Sequence, residues 1–233
     1  MKQAMLAPSI MCVPQWQDIG AILWEMKEAG VEWIHADVMD GQFVPNLMLG
    51  TESIKQLRKI SPIPLDIHFM IERPDEKWPW FNVQPGEYVS IHAESTRHLQ
   101  RVLAQIRDCG ALPMAALNPA TPISTIEDVL PDLEGVLLMT VNPGFAGQQM
   151  VPQMLDKISR LRRWLDTSGY GHLPIEVDGN VSYENAVKMR AAGADIFVCG
   201  TASLFSKQGT LKENIARIRA CISGTQKTEE EER

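Results

Sequence analysis

Residues 28–35 read EAGVEWIH, residues 108–115 read DCGALPMA, and residues 191–198 read AAGADIFV. Each phrase is the end of a helix, a glycine turn and the start of a strand. Gly30, Gly110 and Gly193 sit where a left-handed C-terminal cap is needed. Outward from these joints the same rhythm continues. Short apolar runs rich in β-branched residues predict strands at 5–10, 33–37, 65–69, 88–92, 112–117, 136–140, 175–177 and 196–198. Between them, apolar residues recur at spacings of three and four over 15–29, 97–108, 151–166 and 183–192, as amphipathic helices require. Thr121-Pro122 reads as a helix N-cap with proline at the first helical position.

Eight strands alternating with eight helical segments, without a composition break, predict one parallel α/β domain. An open doubly wound sheet shares this rhythm. No GxGxxG follows the first strand, so a (β/α)8 TIM barrel is the expected fold. The chain has 233 residues. The expected barrel spans residues 1–224, about 28 residues per βα unit, with a charged tail at 225–233. That size leaves no room for an inserted lid domain. Closure over a ligand falls to the segments 38–50 and 142–150.

Composition narrows the function. Hydrophobic residues are 45% and charged residues 22%, which excludes a disordered or collagen-like chain. No uncharged apolar run approaches the ~20 residues that span a bilayer, and Pro8 interrupts the apolar start, so neither a membrane segment nor a signal peptide is expected. The formal net charge of -7 opposes nucleic-acid and anionic-membrane partners, but not a small anion bound by local groups. Cys12, Cys109, Cys199 and Cys221 form no CxxC pair, so reduced thiols and a cytoplasmic location are expected.

Polar residues gather at the strand exits. His35 and Asp37 share one face of a strand, because side chains alternate. His68, at the end of a third strand, and Asp178, at the end of a seventh, enter the same space if the barrel closes. Singly, such residues are core histidines or turn-forming aspartates. Two imidazoles and two carboxylates at convergent strand ends instead make a site for a first-row divalent metal. Three glycine loops follow late strands: Gly144, Phe145, Ala146 and Gly147 after the sixth, Gly179-Asn180 after the seventh, and Gly200-Thr201 after the eighth. They hold no Lys or Arg, so backbone amides would carry an anion such as phosphate. Met39, Met70 and Met139 lie near the same mouth and offer a soft apolar floor.

The strings LAPSIM, HADVMDGQFVPN, DIHFMI, IHAE, NPATP, MTVNPGFAGQ, EVDGN and CGTASLF, running in order from Leu6 to Phe205, resemble the ribulose-phosphate 3-epimerase family. The resemblance implies a (β/α)8 barrel that moves a proton at C3 of a ketose phosphate. It implies metal ligands His35, Asp37, His68 and Asp178, with Asp37 and Asp178 also the acid/base pair. It implies that Ser9 contacts substrate or positions the ligands, and that the glycine loops hold phosphate. The implied cofactor is one divalent ion: zinc, iron(II), manganese or cobalt. The implied assembly is a homo-oligomer, dimer or hexamer. Ala146 and Thr201 look closer to an allulose-phosphate branch, and Asn180 fits neither branch, so the sugar stays open between ribulose 5-phosphate and allulose 6-phosphate. His92 is expected beside the ligands or at the mouth. A decarboxylase of DxKxxD type is disfavoured because Asp37-Val38-Met39-Asp40 holds no lysine. A non-catalytic sugar-phosphate-binding paralogue would be expected to have lost a ligand or acid.

Overall fold

The computed structural model describes residues 3–223, so the tail expected at 225–233 lies outside the described residues. The chain runs β1 (Met5–Pro8), α1 (Ile19–Glu28), β2 (Ile34–Asp40), β3 (Leu47–Met48), α2 (Thr51–Ile60), β4 (Leu65–Met70), α3 (Pro74–Lys77) and β5 (Tyr88–His92). It continues through α4 (Leu99–Asp108), β6 (Leu112–Leu117), β7 (Gly135–Met139), α5 (Met154–Thr167), β8 (Ile175–Asp178), α6 (Tyr183–Ala192), β9 (Ile196–Cys199) and α7 (Leu211–Ser223). A 3-10 segment, Ile123–Asp132, stands in place of a helix between β6 and β7.

The strands form one sheet in the order β1-β9-β8-β7-β6-β5-β4-β2-β3. All pairs are parallel except β2 with β3. The sheet closes between β1 and β2: the Trp33 amide donates to the Leu6 carbonyl (3.2 Å), and Ser9 bridges His35 in parallel. The fold is therefore a (β/α)8 barrel, with β3 as a short arm outside it. In a closed parallel sheet both faces of each strand are covered, so strands read as continuous apolar runs. Ile34, Ala36 and Val38 of β2 face the helices; His35, Asp37 and Met39 face the lumen. Trp33, Tyr88 and Ile196 plug the lumen's lower end.

The glycine joints behave as their sequence suggests. Gly30, Gly110 and Gly193 have φ of 75°, 80° and 111°. Past each one the chain folds back on its helix, the amides of Val31, Ala111 and Ala194 donating to the carbonyls of Met26, Ile106 and Met189. Two local expectations are corrected. Pro122 is not the first residue of an α-helix; it is the extended cap of the 3-10 segment (φ -62°, ψ 145°), and Thr121 turns its hydroxyl to Glu94. Strand β2 also runs three residues past Asp37, because antiparallel pairing of Met39 with Met48 and Asp40 with Leu47 keeps it extended. The closing segment thus begins at Gly41. Asp40 anchors its start, accepting from the amides of Gln42, Phe43 and Glu72 and from Lys77 Nζ at 2.7 Å.

Candidate active site

Register brings side chains of three strands together. His35 pairs with Asp66, and Asp37 with His68, across β2 and β4. Asp178 arrives from β8 on the other side of β1 and β9. His35, Asp37, His68 and Asp178 each offer one donor atom, and these atoms all lie within 4.8 Å of one another. His35 Nε2 is 3.2 Å from Asp37 Oδ1 and 3.9 Å from Asp178 Oδ2. His68 Nδ1 is 3.3 Å from Asp37 Oδ1 and 3.9 Å from Asp178 Oδ2. Ser9 donates to the other Asp37 oxygen at 2.8 Å. His35 Nε2 is buried and has no hydrogen-bond partner. An orphaned imidazole nitrogen facing two carboxylates and a second imidazole fits a divalent first-row cation.

The electrostatics separate the two aspartates. Burial would raise Asp37, but the neighbouring His35 and His68 outweigh it and hold it far below the usual carboxylate range. Asp178 is pushed up to about 7, first by burial and then by the charge of Asp37. Near neutrality the protein's own groups thus favour one ionised and one protonated carboxyl. That is the state an acid/base pair needs. Burial disfavours a charged His35, yet Asp66 and Asp37 outweigh it and raise it well above the ordinary imidazole range.

A second ring of groups lies behind the first. His35 Nδ1 is 2.5 Å from Asp66 Oδ2 and 3.6 Å from Glu176 Oε1. Burial and the Asp66 charge raise Glu176 well above the ordinary range, so it stands as a neutral acid. A carboxylate on the far nitrogen of a ligand histidine fixes ring orientation and tautomer. Sequence reasoning passed over Asp66 and Glu176 as strand-end residues. The signal was there: each lies two residues before a candidate ligand and so shares its face.

The cavity over this cluster is lined by Ser9, Asp37, Asp178, Met39, Met70, Met139, residues 143–148, Gly179, Asn180, Gly200 and Thr201. Every site residue expected from the sequence except His35 and His68 lies on that lining; these two lie sealed beneath it. Met11, Cys12, Val141, Val181 and Val198 line it too and were not expected. No Lys or Arg lines it among the described residues. The glycine loop is tied down on both sides: Gln148 Nε2 donates to the Asn142 and Phe145 carbonyls, and Asn46 Nδ2 donates to the Gly144 carbonyl at 2.8 Å. The last bond joins the two segments expected to close over a ligand.

The residue that fitted neither sugar branch has a conformational reason. Asn180 is left-handed (φ 48°), where Asn is among the better-tolerated side chains. Its Oδ1 accepts from Asn185 Nδ2 at 2.8 Å and from the Met150 amide at 3.3 Å. It therefore staples the glycine loop to α6.

A closed (β/α)8 barrel with a buried imidazole–carboxylate cluster at its strand exits, two carboxyls held in different protonation ranges and an adjoining cavity without Lys or Arg has the parts of an enzyme for proton transfer on a small substrate. The chain belongs to the ribulose-phosphate 3-epimerase family: the profile of the Ribulose-phosphate 3 epimerase family matches residues 5–204. It is 41% identical to the ribulose-phosphate 3-epimerase of Bacillus subtilis (strain 168) over 92% of this chain and 97% of that protein. It is 42% identical to the chloroplastic ribulose-5-phosphate-3-epimerase of Arabidopsis thaliana, covering 87% and 72%. The fold alone is shared more widely. KGPDC from Streptococcus mutans superposes with a TM-score of 0.69 at 11% identity, covering 96% of this chain and 99% of that one. N-(5'-phosphoribosyl)anthranilate isomerase from Pyrococcus furiosus does so at 0.60 and 13%, covering 95% and 100%.

Proposed function

We propose that this chain is a metal-dependent ketose-phosphate 3-epimerase that interconverts D-ribulose 5-phosphate and D-xylulose 5-phosphate. The observation that carries the reading is the cluster of Asp37 and Asp178 with two buried histidines, in which the surroundings hold Asp37 low and push Asp178 up to about 7. The substrates in the relatives' names agree with it.

The proposed mechanism needs two carboxyls because epimerisation inverts C3. Ionised Asp37 takes the C3 proton from one face, and the electron pair moves into the adjacent ketone to give an enediolate. Protonated Asp178 then delivers a proton to C3 from the opposite face. The reverse reaction exchanges the two roles. His35, Asp37, His68 and Asp178 would hold a divalent cation (zinc, iron(II), manganese or cobalt), which would supply Lewis-acid stabilisation of the negative charge. Ser9 holds Asp37 in place. Met39, Met70 and Met139 wall the reacting carbon without a competing acid. Gly144, Phe145, Ala146, Gly147, Gly179, Asn180, Gly200 and Thr201 hold the phosphate through the backbone, so remote binding orients C3.

Ala146 and Thr201 favour a second reading, D-allulose 6-phosphate as the sugar. We extend the first reading to a cytoplasmic homo-oligomer, dimer or hexamer, supported by thiol spacing that suggests no disulfide frame and by the family resemblance. Among the described residues no helix is long and apolar enough to cross a membrane.

One experiment decides: solvent deuterium exchange at C3 across a panel of pentulose and hexulose phosphates with metal added. Exchange is expected with both sugars, with the higher kcat/KM on ribulose 5-phosphate. A reversed preference selects allulose 6-phosphate. Binding of sugar phosphate without exchange on any panel member makes the chain a non-catalytic paralogue.

A further inference from the structure

Behind His68 a chain of polar groups that the proposed mechanism does not use runs from two buried rings out to the exposed Glu94. His68 Nε2 lies 2.9 Å from His92 Nε2, and His92 Nδ1 lies 3.1 Å from Glu94 Oε2. Both rings are fully buried. The other oxygen of Glu94 accepts from the Asn118 amide (2.8 Å) and from the Thr121 hydroxyl. The turn carrying those donors is fixed from α5: Lys157 Nζ donates to the carbonyls of Asn118 (2.7 Å), Thr121 (2.6 Å) and Pro119 (3.3 Å).

The proton positions follow from this network. An ionised carboxylate accepts only, so His92 Nδ1 carries the hydrogen of the bond to Glu94. A neutral imidazole carries one hydrogen, and His92 spends it on Nδ1, so its Nε2 is a lone pair. A contact of 2.9 Å between two imidazole nitrogens needs one hydrogen, which His68 Nε2 must supply. Neutral His68 then has its lone pair on Nδ1, whose 3.3 Å distance to Asp37 Oδ1 is longer than an ordinary N–H···O bond and leaves two acceptors facing each other that a cation between them would satisfy.

We propose that Glu94, acting through His92, is a positioning residue that selects the Nε2–H tautomer of His68 and so presents Nδ1 to the metal. The inference rests on reading the four-residue cluster as a metal centre. It explains why a carboxylate two imidazoles away sits in so ordered a cradle. It also explains the NPATP turn as a support for the site. Ligand histidines commonly have their second nitrogen held by a carboxylate. His35 meets Asp66 directly, whereas His68 reaches its carboxylate through a relay.

Glu94→Gln tests this by inverting the relay. The Asn118 amide remains an obligate donor, so the new amide oxygen stays on that side and its NH2 turns to His92 Nδ1. His92 then carries Nε2–H and donates to His68, and the His68 proton moves to Nδ1. Two-bond nitrogen–proton NMR on the 15N-histidine-labelled full chain, metal-free and then zinc-loaded, reads the tautomers. The metal-free wild type should show Nε2–H on His68 and Nδ1–H on His92, and E94Q should show the opposite pair. Zinc affinity by chelator competition should fall about 10- to 100-fold in E94Q. Nδ1–H on His68 in the metal-free wild type overturns the proposal, without needing any variant to fold. An E94Q that keeps both the wild-type tautomers and the wild-type zinc affinity overturns it as well. A wild type that binds no zinc overturns the metal centre itself, whatever the tautomers.

Discussion

The two ends of the cavity are made of different material. At one end, His35, Asp37 and His68 are buried side chains on neighbouring strands, crowded with Asp178 and backed by Asp66, Glu176 and the His92–Glu94 relay. At the other, residues 143–148 and 200–201 present glycine, small and apolar residues on turns, with no cation among them. Phe145, at the tip, is 54% exposed. The first end depends on protonation states and rotamers. The second depends on backbone dihedrals. A substitution that keeps shape but removes charge should therefore damage the first end, and one that adds a single carbon should damage the second.

The largest effect is expected from Asp37→Asn and Asp178→Asn. Each keeps the shape and removes one proton carrier, so each should lower kcat by about 10²–10⁴. C3 deuterium exchange on ribulose 5-phosphate is the measurement. Near-wild-type exchange in either variant would break the two-carboxyl scheme, and with it the claim that protonation governs this end.

The same pair should move stability in opposite directions when metal is removed by a chelator. Asp178 has a folded pKa of about 7, above its ordinary value near 4. Its ionisation therefore destabilises the fold, a cost complete above pH 7 and gone below about pH 4. Asp178→Asn should stabilise the protein at pH 8 by a few kcal/mol at most, the gain fading as pH falls through 7. Asp37 is depressed, so its contribution is present above pH 4 and lost in acid. Asp37→Asn should destabilise at pH 8. Urea midpoints at pH 8 and pH 5 measure both. Shifts of the same sign in the two variants would show that the two carboxyls are not separated by their surroundings.

The contrast between the ends also explains what the sequence made legible. Barrel rhythm and glycine joints are local, so EAGVEWIH and its counterparts announce them directly. His35, Asp37, His68 and Asp178 were legible as strand-exit residues once parity placed them on one face. The relay was not. His92, Glu94 and Lys157 come from β5, the loop after it and α5, and only closure of the barrel brings them into line. Thr121-Pro122 misled for a related reason. Its hydroxyl is engaged by Glu94, a partner 27 residues away, so local capping logic had no access to it. At the glycine end the loops were legible as loops, but the conformational demand on Asn180 needed its φ.

The smallest expected effect lies at the glycine end and isolates it. Gly144 has φ 121°, which side chains rarely adopt, and an added Cβ would lie 3.2 Å from Val44 Cβ. Its carbonyl also holds Asn46, so any shift moves both closing segments. Strain near the lower end of the usual range of about 1–3 kcal/mol at such a position converts to roughly a tenfold loss of binding. Gly144→Ala should raise KM for ribulose 5-phosphate about tenfold with kcat little changed. The slow C3 exchange of unphosphorylated ribulose should stay as in the wild type, because that sugar makes no use of the loop. Gly147→Ala is the companion: φ is 82°, but no heavy atom lies within 4 Å of its added Cβ, so its effect should be weaker. If Gly144→Ala slows both sugars equally, the loop does not act through phosphate, and the division of the cavity into a side-chain end and a backbone end fails.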